Sequence, residues 1–174
     1  MTWFDIGMLL VRLSLGGTLI AHGWNHWRGG GRIAGTARWF EGLGLRPGIL
    51  HAWSSVLVEL GAGLMLVLGL LTPLAAAGAV GTMLVALLVV HRRNGFFVFR
   101  DGYEYVLMIS VFALVLAMLG PGAGSVDHVL GLEGTGGIDL TGLTGLAVAA
   151  VCGIGGALLL LACCWRPGRT SRSD

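Results

Sequence analysis

One stretch, residues 49–71, limits what this chain can become more than any other. It reads ILHAWSSVLVELGAGLMLVLGLL, long enough to cross a bilayer as a helix, with a carboxylate, Glu59, near its middle. A charged and unpaired carboxylate at that depth costs several kcal/mol. Glu59 must therefore be protonated, paired or wetted. The first apolar segment offers one partner, Arg12.

The remaining composition agrees with a membrane interior. Of 174 residues, 55% are hydrophobic and 11% charged, too few charges to solvate a water-soluble domain of that apolar content. The sequence predicts an all-α integral membrane protein with five hydrophobic segments, at about residues 3–23, 49–71, 73–90, 103–119 and 140–165. Only Leu71, Thr72 and Pro73 join the second and third, which predicts a tight antiparallel hairpin, with Pro73 suited to a first helical turn. All the basic residues are arginines. With five crossings, Arg28, Arg32, Arg38, Arg46, Arg92, Arg93, Arg100, Arg166, Arg169 and Arg172 fall on one side, and Asp5, Asp127, Glu133 and Asp139 on the other. The positive-inside rule then places the protein in a bacterial cytoplasmic membrane with its N-terminus outside and its C-terminus inside. Trp3, Trp24, Trp27, Trp53 and Trp165 near helix ends read as interfacial anchors.

Three units are expected: a bundle over residues 1–128, with an interfacial helix near 33–43 that turns Ile33, Ala37, Phe40 and Trp39 to lipid; an outer loop and additional helix over 129–165; and a basic cytoplasmic tail over 166–174. Gly78 and Gly81, and Gly153, Gly155 and Gly156, permit close helix approach. Cys152, Cys163 and Cys164 have no spacing of a disulfide framework or zinc site, and read as small apolar residues. The N-terminus lacks the basic region of a signal peptide. Nothing in the chain suggests nucleic-acid binding.

Counted from the expected inner ends of their segments, Arg12 and Glu59 lie at similar depth, which predicts an ion pair between them. Nearer the arginine side, His22 and His26 stand four residues apart and would stack on adjacent turns. His91 closes the third segment and Glu104 opens the fourth, so His22, His26, His91 and Glu104 are expected to ring one inward pocket. Imidazoles titrate near neutrality, so this set could relay protons or position a substrate. Two histidines and a carboxylate also form a metal-ligand set, but the spacing assigns no metal. Arg12, Glu59, Tyr103 and Phe97 are candidate binding residues, the phenylalanines as walls for a quinone-like ring.

At these residues the chain resembles the DoxX family of small bacterial membrane proteins. The resemblance runs over about residues 6–128. It is carried by Arg12, His22-Gly23, the run from Phe40 to Pro47, Val58-Glu59 through Gly63, Leu68 through Pro73, His91, Asn94 through Phe97, Gly102-Tyr103-Glu104, Gly120-Pro121-Gly122 and Ser125-Val126-Asp127. It implies a four-helix bundle, to which this chain adds the fifth, C-terminal helix and the tail. It also implies company with redox enzymes: the wider group includes the DoxD-like subunit of a thiosulfate:quinone oxidoreductase. The reading favoured is a membrane subunit of a redox system, a non-autonomous part of a quinone-linked oxidoreductase. It would handle quinone or a small sulfur species, with another membrane or soluble redox protein as partner, and a homo-oligomer is compatible. Two alternatives stay open: a non-catalytic scaffold recruiting soluble redox enzymes through its arginines, and a small-solute or proton transporter.

Overall fold

The computed structural model describes residues 1–133 and 139–167. The tail arginines Arg169 and Arg172, and part of the outer glycine-rich loop, lie outside the described residues. The helices are α1 (Trp3–Arg28), α2 (Arg32–Gly42), α3 (Gly48–Leu68), α4 (Thr72–Ala86), α5 (Glu104–Leu119), the short α6 (Val126–Val129) and α7 (Gly142–Cys164). Among the described residues four helical stretches are long and apolar enough to span a bilayer: Trp3–Arg28, Gly48–Leu68, Thr72–Asn94 and Gly142–Cys164. At 16 residues α5 is shorter. It still runs from the end of the bundle bearing His91 to the end bearing Asp127, so the chain crosses the bundle five times.

Local sequence explains where each helix starts. Thr2 and Asp5 form a reciprocal capping box that opens α1. That helix continues to Arg28, five residues past the expected end, because after Gly23 no glycine or proline comes before Gly29. Gly69, with φ of +63°, ends α3 in the left-handed conformation that glycine adopts freely. Pro73 sits in the first turn of α4, where its missing N–H is of no consequence.

Four helices, α1, α3, α4 and α5, close into a bundle, and α7 packs along α4 and α5 from outside. The core is small-residue rich along α4, where Ala75, Ala76, Ala77 and Ala79 are all buried. Helices α1 and α3 touch backbone to backbone: a Cβ on Gly63 would lie 2.8 Å from the Gly16 carbonyl oxygen, and one on Gly16 would lie 2.6 Å from that of Gly63. Gly81 meets Gly153 across the α4–α7 contact, as expected, whereas Gly155 and Gly156 face open space. One expectation is corrected. In α2, Ala37 and Phe40 are buried in a cluster with Leu45, Ala52 and Leu161 and do not face lipid, while Trp39 is the exposed residue. The C-terminal end of α7 is latched to the α2–α3 link by Arg46 N–H donating to the Cys164 carbonyl (3.1 Å) and Arg166 N–H donating to that of Gly44 (2.7 Å).

The two ends of the bundle differ in chemistry. One bears Arg28, Arg32, Arg38, Arg46, Arg92, Arg93, Arg100 and Arg166, all exposed. At the other, the Asp127 carboxylate accepts from Leu71 N–H (2.6 Å), Thr72 N–H (2.8 Å) and the Thr72 hydroxyl (2.7 Å). Asp127 thereby caps α4 from another part of the chain and holds Leu71 at a φ of +44°. Truncating it leaves three donors unpaired, two of them buried, at about 1–3 kcal/mol for each buried one before relaxation. Asp127→Ala is expected to lower the apparent melting temperature of the purified protein by many degrees, whereas Asp127→Asn loses less because its amide oxygen still accepts. Thermal unfolding in detergent checks both.

Candidate functional site

A cavity of about 660 Å³ opens among α1, α2, α3, α4, α5 and α7, within the usual range of small-molecule sites. Its polar groups gather toward the arginine end, while leucine, valine, alanine and glycine line most of the rest. Helix α3 supplies His51, Ser55 and Glu59, spaced four residues apart and so stacked on one face. His51 is 5% exposed and Glu59 4%. Each of these three side chains has a buried polar atom without a hydrogen-bond partner: His51 Nε2, Ser55 Oγ and Glu59 Oε2. Buried polar atoms are rarely left so, and a row of three facing one cavity is the signature of a site that expects a ligand or water.

Helix α1 faces this row. His26 Nε2 stands 3.8 Å from Glu59 Oε1, the nearest opposite charge that the carboxylate meets when the imidazole is protonated. The His26 ring stacks on Trp39 of α2 with centroids 6.0 Å apart and planes 25° apart. Its neighbour Phe40 also lies against the His51 ring, at 6.4 Å. His22 lies one turn deeper on α1, beside Tyr105 of α5, with ring centroids 6.3 Å apart. Gly23 lets α1 approach closely here, since a Cβ there would sit 3.0 Å from that of Glu59.

His91 completes the polar end. Just before it, α4 loosens into a π-helical turn, Leu87–His91, a distortion frequent at functional sites. Val89, Val90 and His91 of this turn line the cavity. The His91 Nδ1 lies 2.6 Å from the Asp101 carbonyl oxygen, which can only accept, so Nδ1 carries the proton and Nε2 stays available. Among the described residues no three His, Cys, Asp or Glu side chains form a cluster able to hold a metal.

The structure brings together His22, His26, His91 and Glu59 of the candidate residues and separates the others. Arg12 does not pair with Glu59. Its guanidinium is fully buried at the opposite end, where Nη2 donates to the Gly124 carbonyl at 2.8 Å and the head packs against Gly69, while Nε and Nη1 make no hydrogen bond. The reason is directional. Arg12 lies one turn before Gly16, and Glu59 one turn before Gly63. The helices are antiparallel, so these turns lead away from the shared crossing in opposite directions, about 12 Å apart along the axes. Side chains also tilt toward their own helix N-terminus, which widens the gap.

Glu104 does not line the cavity either. Its Oε1 accepts from Val98 N–H at 2.9 Å and ties down the link between α4 and α5. Tyr103 packs edge-on against Phe96, and Phe97 is exposed between Phe96 and Phe99. Neither walls the cavity. The cavity is walled in part by His51, whose angle reads from the sequence as less favourable, by Ser55 on the Glu59 face, and by Tyr105 and Trp39. The four-residue spacing of His51, Ser55 and Glu59 was the available signal.

This geometry defines a class: a multi-pass helical membrane protein with a buried polar site beside one end of its bundle. The sequence pattern that defines the DoxX family matches residues 7–92, from α1 to the end of the π-helical turn. The chain is also 32% identical over 131 residues to the inner membrane protein YqjF of Escherichia coli strain K12, an alignment that covers 72% of this chain and 93% of that protein. The chain belongs to the DoxX family. No solved structure matches it.

Arg12 and Glu59 should respond differently to mutation. Arg12→Met removes the clamp on residue 124 and is expected to lower stability by about 1–3 kcal/mol. Glu59→Gln replaces a buried carboxylate that has no hydrogen bond and is expected to leave the melting temperature unchanged or raise it. Parallel thermal unfolding of the two variants tests this division.

Proposed function

We propose that this protein is the membrane subunit of a redox system and that its cavity takes the head group of a quinone. The single observation that carries this reading is the row His51, Ser55 and Glu59, unpartnered and facing a largely apolar cavity. A quinone ring presents two carbonyl acceptors on a flat apolar body. Donors from His51 and Ser55 suit those carbonyls, and the aromatic rings of Trp39 and Phe40 suit the body. Reduction of a quinone to a quinol takes two electrons and two protons. In this reading His26 and Glu59, which stand 3.8 Å apart, deliver those protons. The electrons come from a partner redox protein, which makes this chain a non-autonomous subunit. A small sulfur anion fits less well, since no arginine or lysine lines the cavity.

The expected location is the cytoplasmic membrane, by analogy with the inner-membrane relative, with the N-terminus outside and the arginine end inside. The histidine end of the cavity then faces the cytosol, where protons are exchanged. Cys163, exposed at that end of α7, reports the orientation. In intact cells it should resist a membrane-impermeant thiol reagent, and it should react once the membrane is opened. Labelling without permeabilisation would reverse the topology.

Quinone binding is tested directly by quenching of tryptophan fluorescence in nanodiscs. A ubiquinone analogue is expected to bind the wild type and to lose tenfold or more in affinity in Glu59→Gln and in His51→Ala. Equal binding by all three would remove the site. It would favour instead the scaffold reading, for which the one supporting observation is the set of exposed arginines gathered at a single end.

A further inference from the structure

We propose that the ligand of this cavity carries a linear apolar tail and enters sideways from the lipid, through the groove that α3 and α7 form across α4. This rests on the quinone reading and narrows it to a membrane-borne, long-tailed quinone, held by its head at the α3 row and by its tail along α4.

The cavity does not stop at its polar end. It continues along α4 past Gly81 and Gly78 to Leu74, with Val58 on one side and Cys152 and Gly156 on the other. From Ala86 to Leu74 this is about 18 Å of helix at 1.5 Å per residue, far more than a ring alone would fill. Helices α3 and α7 each pack extensively along α4 and far less against one another, so small residues of α4 floor a slot between them. The slot is open on its outer side: Val58 is 41% exposed, Leu74 48%, and Cys152 is exposed. A Cβ built on Gly156 meets nothing within 4 Å.

The two parts of this space differ as the two parts of an amphiphile do. At one end, polar atoms on side chains at least nine-tenths buried, Glu59 Oε2 and His51 Nε2, face the cavity without partners. Along the rest, the walls offer an apolar tail the same surroundings as the bilayer. A head group reaching Glu59 by this path never leaves the membrane, and its tail never has to be pulled out of lipid.

The test compares a decyl-tailed benzoquinone with the same ring lacking the tail, together with a fatty acid bearing a mid-chain diazirine. All three are applied to wild-type protein and to Gly156→Trp and Cys152→Trp in nanodiscs. Gly156→Leu serves if the indole disturbs folding, judged by elution profile and melting temperature. The wild type is expected to bind the tailed quinone at least tenfold more tightly than the bare ring. The blocking variants should lose that advantage while still binding the bare ring, and photo-crosslinking to α7 peptides should fall. If both quinones bind equally and the variants change nothing, the groove holds only bulk lipid and the lateral route is wrong, with the quinone site intact. If no quinone binds but the fatty acid crosslinks to α7 in a Gly156-dependent way, the quinone reading fails and the tail groove survives. Failure of every ligand removes both.

Discussion

The close crossing of α1 and α3 at Gly16 and Gly63 governs the rest of the structure. Two glycine backbones in contact fix the register of the two helices at one point. Any side chain larger than hydrogen at either position would drive them apart. Because the helices are antiparallel, residues one turn before the crossing diverge. One turn is enough to send a guanidinium to one end of the bundle and a carboxylate toward the other. A charge pair that the same two segments could have made in another register is thereby prevented.

The separation gives the two ends different work. At the acidic end most polar groups satisfy one another, although Arg12 Nε and Nη1 make no hydrogen bond. Asp127 caps α4, Asp5 accepts from Ala123 N–H, the Ser125 hydroxyl donates to Gly122, and Arg12 donates to Gly124. That end is a closed polar plug that ties together the N-terminus, the α3–α4 turn and the link after α5. At the histidine end the groups are buried without being paired with each other. His51, Ser55 and Glu59 are held in place by the helix that carries them, and their free atoms converge on space. Polar burial of the first kind supports a fold. The second kind lowers stability unless something else completes it, which is why it marks a site.

Much of this could be read from residue order. Segment lengths and arginine placement gave five crossings. The short link Leu71-Thr72-Pro73 gave the hairpin, and the histidines gave the polar end. The Arg12–Glu59 relation could not be read the same way, because depth was counted from the end of the apolar run near Gly23, while α1 continues to Arg28. A hydropathy boundary is not a helix boundary when the residues beyond it are good helix formers at a membrane surface. Glu104 misled for a different reason: the link over residues 95–103 turns its carboxylate back onto Val98 N–H. Side-chain direction in an irregular link has no period to read. The glycines at 16 and 63 did hold the missing register, since each lies four residues beyond the charge on its own helix.

The fifth helix adds what a four-helix bundle lacks. The residues that match the family pattern end at 92, before α5 and α7, yet they already contain Glu59 and all the histidines of the polar end. The unpartnered polar atoms that face the cavity thus all lie in the matched part. Helix α7 contributes no polar atom with an unmet hydrogen bond to the cavity. It contributes a wall of small residues, Cys152, Gly153, Gly156 and Ala157, laid beside α4. It packs there through Gly153 against the Ala77 carbonyl and Val80, which bounds one side of the slot. In the proposed lateral route this helix shapes access, while the unpartnered polar atoms lie on α3.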